Sequence, residues 1–253
     1  MDADLQRIER ALLAAQEAAA RFTPGRIASE KKAGGDPVTE ADLLLDQVLK
    51  ESLLEPSEGW LSEETVDDLS RLDKKRVWVV DPLDGTREFV EGIPEWCISV
   101  ALVVEGRPVA AGICNPAAEQ IFLGRIGAGV MLNGRPVHVS RKAELAGARI
   151  LASRSEVRRG EWKRFEGAEF EIIPMGSVAY KLACVAAGLA DGMFTLVPKN
   201  EWDVAAGVCL VEAAGGCWQT PAPQRLFNQP NPLLQGLWAA NCSLILPLKE
   251  LSK

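Results

Sequence analysis

The segment that most restricts this chain runs from Val77 to Thr86. There the strand-like Val77-Trp78-Val79-Val80 empties directly into Asp81-Pro82-Leu83-Asp84-Gly85-Thr86. A strand that ends in carboxylates puts them at the carboxyl edge of a sheet, where α/β proteins place ligands. Two aspartates three residues apart on a proline-fixed turn can address one point. Gly85 permits close backbone approach, and the Gly85 and Thr86 amides offer donors to an anion. Oxygen-only ligands select hard cations such as Mg²⁺. Asp, Pro and Gly are also common turn residues, so this segment alone leaves an ordinary turn open.

Composition narrows the context. The 253 residues fit one or two domains and suffice for a large core. A hydrophobic share of 47% beside 25% charged residues excludes wholesale disorder. The net charge of −7 argues against nucleic-acid polymers, which need a basic face, and against anionic membrane surfaces. No apolar run reaches the ~18–20 residues of a membrane span, and the first residues lack a signal-peptide layout, so a cytoplasmic protein is expected. The six cysteines, Cys97, Cys114, Cys184, Cys209, Cys217 and Cys242, sit in apolar surroundings with no C-x-x-C pair. They read as buried thiols of a reducing cytosol, not as a disulfide or zinc framework. A single histidine, His138, nearly excludes a zinc hydrolase built on several histidines.

The element pattern divides the chain. Apolar positions Leu5, Ile8, Leu12, Ala15, Ala19 and Phe22 predict an amphipathic helix over residues 5–22, broken by Gly25 and by Lys31 to Pro37. A second helix is expected from Thr39 to Leu53, with Thr39 and Asp42 in capping-box positions. From Cys97 to Val139 the texture is extended, with Asn133-Gly134 as a hairpin turn. Beyond Ala143 strands alternate with helices, and residues 221–232 read as a surface loop. The expectation is an N-terminal α+β half, 1–143, and a C-terminal α/β half, 144–253.

Two further acidic sites stand apart from the first: Glu63-Glu64 upstream of the strand, and Asp203 at the start of a helix. Taken singly, the acidic pair reads as solvated surface and Asp203 as a cap. Taken together, Pro37-Val38-Thr39-Glu40-Ala41-Asp42, Ser62-Glu63-Glu64, Asp81-Pro82-Leu83-Asp84-Gly85-Thr86 and Trp202-Asp203-Val204-Ala205-Ala206-Gly207 resemble the lithium-sensitive, Mg²⁺-dependent phosphomonoesterases of the inositol monophosphatase superfamily, in order and spacing. The resemblance covers residues 31–216 and implies a layered αβαβα sandwich of the inositol monophosphatase and fructose-1,6-bisphosphatase type. It implies one metal held by Glu63, Asp81 and the Leu83 carbonyl, and a second held by Asp81, Asp84 and Asp203. Glu64 would assist a third, weaker one. It also implies that Asp42, Glu63 and Thr86 position the attacking water and that Gly85, Thr86 and Ser177 hold the phosphate. This is the two-metal arrangement for in-line displacement at phosphorus.

For the substrate, a small phosphate ester, the markers point two ways. Arg87-Glu88-Phe89, Lys181 and Ser153-Arg154-Ser155 resemble segments of the CysQ-type 3′(2′),5′-bisphosphate nucleotidases, with Arg87, Lys181 and Lys199 as candidate cations for a second phosphate. Glu156 and Thr195 depart from that pattern, and Thr195 equally departs from the inositol enzymes. The reading is hydrolysis of adenosine 3′,5′-bisphosphate to AMP and phosphate. The alternatives are an inositol-1-phosphate or sugar-phosphate phosphatase and, in another class, a catalytically silent metal- or ligand-binding relative. By resemblance, inositol enzymes are often dimers and CysQ-type enzymes monomers, so a homodimer is carried as one expectation.

Overall fold

A computed structural model describes residues 3–31, 37–195, 197–221 and 226–251. The chain opens with α1 (Ala3–Ala19), a two-residue ladder of β1 (Glu30–Lys31) and β2 (Pro37–Val38), and α2 (Glu40–Leu53). A seven-stranded sheet follows in sequential order: β3 (Gly59–Ser62), β4 (Arg76–Asp84), β5 (Cys97–Val104), β6 (Arg107–Asn115), β7 (Gln120–Arg125), β8 (Gly129–Leu132) and β9 (Arg135–Val137). The short α3 (Thr86–Glu91) joins β4 to β5. The remainder supplies β10 (Arg149–Ser153), α4 (Arg154–Arg158), β11 (Glu171–Met175), α5 (Val178–Ala186), β12 (Gly192–Thr195), β13 (Lys199–Asn200), α6 (Glu201–Ala213), β14 (Gly216–Gln219), β15 (Leu233–Leu234), β16 (Leu237–Asn241) and α7 (Ile245–Leu251). Five of these strands form a mixed sheet in the order β11-β10-β12-β16-β14, and β13 pairs with β15.

Strand alternation builds the layers. In β4, Trp78 and Val80 join a core with α1 and α2, whereas Val77 and Val79 point the other way into a core with α5 and α6. That second core also takes Met193, Leu237 and Ala239 from the five-stranded sheet, whose far face packs Ile150, Phe194 and Ala240 against Leu244, Ile245 and Leu248. The stack is therefore α1/α2, large sheet, α5/α6, small sheet, α7, the layered αβαβα sandwich that the sequence predicts. The hairpin turn also holds: Asn133 and Gly134 both take positive φ, 48° and 76°, between β8 and β9.

Three expectations change. The cysteine reading fails for two residues: Cys217 and Cys242 form a disulfide, with Cα atoms 5.1 Å apart. Gly216 on β14 lies opposite Asn241 on β16, and this antiparallel pairing draws the two together from a separation of 25 residues. No short-range motif announces such a pair. Cys97, Cys114, Cys184 and Cys209 are buried and free. Next, Asp81 to Asp84 are not a turn beyond the strand but its last residues, because β4 runs through Asp84. Finally, the 221–232 segment is not merely surface. Residues 222–225 lie outside the described set, as do 32–36 of the predicted helix break, but Phe227 is buried in the central core.

Candidate active site

The edge of β4 owes its shape to a bulge. Asp81 pairs with Ser99 and Asp84 with Cys97, so three steps on β4 match two on β5. Asp81 continues the Val77–Val79 face toward α5 and α6. Without the extra residue Asp84 would point to the opposite face; with it, both aspartates share one side. Pro82, inside the bulge, lacks an N–H to lose. Asp81 Oδ1 accepts the Leu83 N–H at 3.0 Å, and Gly85, at φ 98°, turns the chain into α3. A Cβ at Gly85 would come 2.9 Å from the Glu95 carbonyl oxygen, so only glycine suits both the backbone angle and the space.

Asp203 arrives from α6, where it occupies the third helical position and accepts the Asn200 N–H at 2.9 Å. Glu63 follows β3. Its flanking residues Ser62 and Thr65 both donate to Asp46 of α2, which fixes the segment. Glu63, Asp81 and Asp203 each bring a carboxylate oxygen within 4.8 Å of the others. Asp84 is held differently: its Oδ2 accepts from Ser177 Oγ and the Ala179 N–H, both at 2.6 Å. Burial drives the Asp81 carboxyl well above the usual range, and the nearby Glu63, Asp84 and Asp203 add to the shift. Asp203 is pushed up to about 7, chiefly by burial, with Lys199 opposing and Asp84 and Glu63 reinforcing. The carboxylates converge and the donor set is all oxygen, so the residues fit a hard divalent ion.

Behind the carboxylates lies a hydrogen-bonded pair. Thr86 Oγ1 donates toward Asp42 Oδ1 at 2.9 Å, with the Leu83 carbonyl at 3.0 Å as a second acceptor. The other Asp42 oxygen is committed to the Thr39 N–H at 2.7 Å and Thr39 Oγ1 at 2.6 Å, completing the capping box of α2. Asp42 is thus both helix cap and partner of Thr86.

These groups border a cleft of about 480 Å³. Leu83, Gly85, Arg87, Ser177, Lys181 and Lys199 line it together with Glu63, Asp81, Asp84, Thr86 and Asp203, whereas Asp42 and Glu64 are not part of the lining. Arg87 reaches across it, donating from Nη1 to Ser155 Oγ at 3.2 Å. Lys181 is buried, and its ammonium donates to the carbonyls of Met175, Gly176 and Ser177 at 3.1, 3.3 and 3.0 Å. The two departures from the nucleotidase pattern touch: Thr195 Oγ1 donates to buried Glu156 at 2.8 Å.

The sequence reading missed Glu95, which accepts from Arg154 and from the Gly176 N–H at 2.7 Å, and Arg159 on the cleft rim. Neither belongs to a motif. His138 stands outside the cleft lining, just past β9.

A layered sandwich whose strand edge gathers oxygen ligands beside an anion-sized cleft defines a metal-dependent phosphoester hydrolase. The model of the inositol monophosphatase family matches residues 3–250, and the chain belongs to that family, whose members are metal-dependent phosphatases, typically with Mg²⁺. The chain is 36% identical to an inositol-1-monophosphatase of Rhizobium meliloti over 200 residues, 76% of this chain and 74% of the relative. It is 33% identical to the Nus factor SuhB of Escherichia coli over 206 residues, 77% and 75% of the two chains. Among solved structures, the extragenic suppressor protein SuhB of Bartonella henselae superposes with a TM-score of 0.85 at 27% identity, covering 100% and 99% of the two chains. CysQ of Bacteroides thetaiotaomicron, at 24% identity, shares the fold with a TM-score of 0.78 over 94% and 96%.

Proposed function

We propose that this phosphatase acts on a phosphomonoester carrying a second phosphate, adenosine 3′,5′-bisphosphate in the first instance, and releases AMP and phosphate. The observation that carries the reading is the basic lining of the cleft that holds the carboxylates: Arg154 is bound to Glu95, Arg159 to Glu161 and Lys181 to backbone carbonyls, while Arg87 and Lys199 bring further positive charge to it. A single phosphate already addressed by a divalent cation and the first amides of α3 does not call for that added charge. A second phosphate does, and the fork of Arg87 suits it.

Glu63, Asp81, Asp84, Asp203 and the Leu83 carbonyl are the groups that would hold Mg²⁺. When bound, the cation lowers the pKa of water and offsets phosphoryl charge. Thr86 directs its hydroxyl proton to Asp42, which leaves its lone pairs to orient a water, while the Gly85 and Thr86 N–H groups at the start of α3 would meet the phosphoryl oxygens. Such reading of the reaction needs no covalent intermediate.

Inositol 1-phosphate is the second reading, favoured by the 36% identity to the Rhizobium meliloti enzyme. The test is kcat/KM for both esters with millimolar Mg²⁺, in the natural chain and in Arg87→Ala. The bisphosphate should lose about tenfold in the variant, roughly 1.4 kcal/mol of transition-state stabilisation, while inositol 1-phosphate changes less than twofold. Turnover of inositol 1-phosphate alone sinks the bisphosphate reading, and no phosphate release from either ester supports a silent relative. A cytoplasmic site of action and the question of a homodimer go with this proposal; no described helix is long and apolar enough to cross a membrane.

A further inference from the structure

Glu63 and Asp203 come from opposite parts of the chain, yet their carboxylates approach within 4.8 Å. Beside them runs a chain of buried and half-buried polar groups. Arg71, 1% exposed, grips Asp67 through Nε at 3.1 Å and Nη2 at 2.8 Å. Its Nη1 donates to Asn228 Oδ1 at 2.6 Å and its Nη2 to the Gln229 carbonyl at 2.9 Å; in return Asn228 Nδ2 donates to the Arg71 carbonyl at 3.2 Å. Asn228, at φ 62°, and Gln229 then turn their backbone N–H groups onto the two oxygens of Glu201, at 2.6 and 3.0 Å. Glu201 is fully buried and is the first residue of α6, two before Asp203. Asp67 lies four residues after Glu63. The network therefore closes a ring: Glu63 segment, Asp67, Arg71, the 228–229 turn, Glu201, Asp203.

We propose that Arg71 and Glu201 are positioning residues that set the separation of Glu63 and Asp203 and, through it, the affinity for the divalent cation those carboxylates share. This rests on the metal-site reading above but not on the identity of the phosphate ester. The network is stiff: every bond in it except that from Asn228 Nδ2 is charge-assisted, so it is not released cheaply to let one ligand drift. A guanidinium can bridge Asp67 and the 228–229 turn at once because its donors form a planar fork, which an ammonium lacks.

The probe is Mn²⁺ affinity by titration calorimetry on the full chain, with folding verified by circular dichroism. Arg71→Lys and Glu201→Gln should each weaken Mn²⁺ binding about tenfold or more, and the double variant should fall little below the worse single one, because both cut the same ring. Asn228→Gly keeps the positive φ and removes only the side-chain bonds to Arg71, so it tests the link where the charged variants fail to fold. Leu248→Ala, on α7 in the outer core, controls for general loss of stability and should leave the affinity unchanged. Affinities within twofold of the natural chain in folded Arg71→Lys, Glu201→Gln and Asn228→Gly overturn the inference alone. Absence of Mn²⁺ binding by the natural chain overturns the metal reading and this inference with it.

Discussion

Lys181 keeps a charge where water does not reach. Its three N–H bonds are all spent on carbonyls of the turn between β11 and α5, so it braces that turn and with it Ser177, the partner of Asp84. Burial lowers its pKa to about 8 from an ordinary 10.5. Between those values the unfolded chain binds a proton that the folded chain has released, so stability attributable to Lys181 rises with pH, by up to about 1.4 kcal/mol per pH unit. Below pH 8 the cost of burying the cation is borne in full. Lys181→Met removes this dependence together with the hydrogen bonds. Denaturant unfolding at pH 7.5, 9 and 10.5 should therefore show the natural chain gaining steadily on the variant; a constant difference contradicts a buried ammonium. The same residue shows where a sequence stops being legible. Lys181 was recognisable as a cleft residue, but its acceptors are backbone carbonyls, which no residue type reveals. Asp81 and Asp84 were legible from a strand that ends in carboxylates, whereas Glu63 and Asp203, which singly read as surface and cap, were picked out only by the family resemblance.

Between elements, α5 and α6 approach closely at Gly207. A Cβ on Gly207 would come 2.5 Å from Leu182 Cδ1 and within hard contact of Leu182 Cβ, which cannot rotate away. Gly207→Ala should part the two helices, destabilising the protein by about 1–3 kcal/mol in urea unfolding. It should also cut kcat at saturating Mg²⁺, because Asp203 lies in the first turn of α6 and the Ala179 N–H of α5 donates to Asp84. Unchanged kcat at reduced stability would mean that the site does not feel the helix spacing. At this scale α1 and α2 were readable from spacing, since each buries one stripe, and β5 and β6, buried on both faces, were readable as continuous extended apolar runs. The bulge in β4 was not. The sequence shows two aspartates three apart, and only pairing with Ser99 and Cys97 turns both to one side. The Cys217–Cys242 disulfide escaped for the same reason: it depends on which strands become neighbours.

Across the whole molecule, the net charge of −7 is distributed so that part of it opposes folding. Asp81 is buried, and Asp203 is raised to about 7 by burial and by its acidic neighbours. Gathering these groups costs free energy, which a divalent cation returns when it binds the folded chain alone. A cation present at a hundredfold over its Kd adds about 2.7 kcal/mol. For a chain of this size that is a rise in Tm of roughly 5–10 °C. The stabilisation spans the molecule, since Glu63 and Asp81 belong to the large sheet and Asp203 to the helical layer beneath it. Asp203→Asn separates the two contributions. The amide oxygen can still accept the Asn200 N–H, so the helix cap survives, while one mutually repelling charge is gone. In EDTA near pH 8 the variant should melt at or above the natural chain. In millimolar Mg²⁺ the order should reverse, because the variant forfeits most of the metal-dependent rise. Differential scanning calorimetry in the two buffers reads both signs. A variant that melts lower in EDTA would show that the carboxylate is stabilised by its protein partners, and a variant that keeps the full Mg²⁺ shift would remove Asp203 from the metal site.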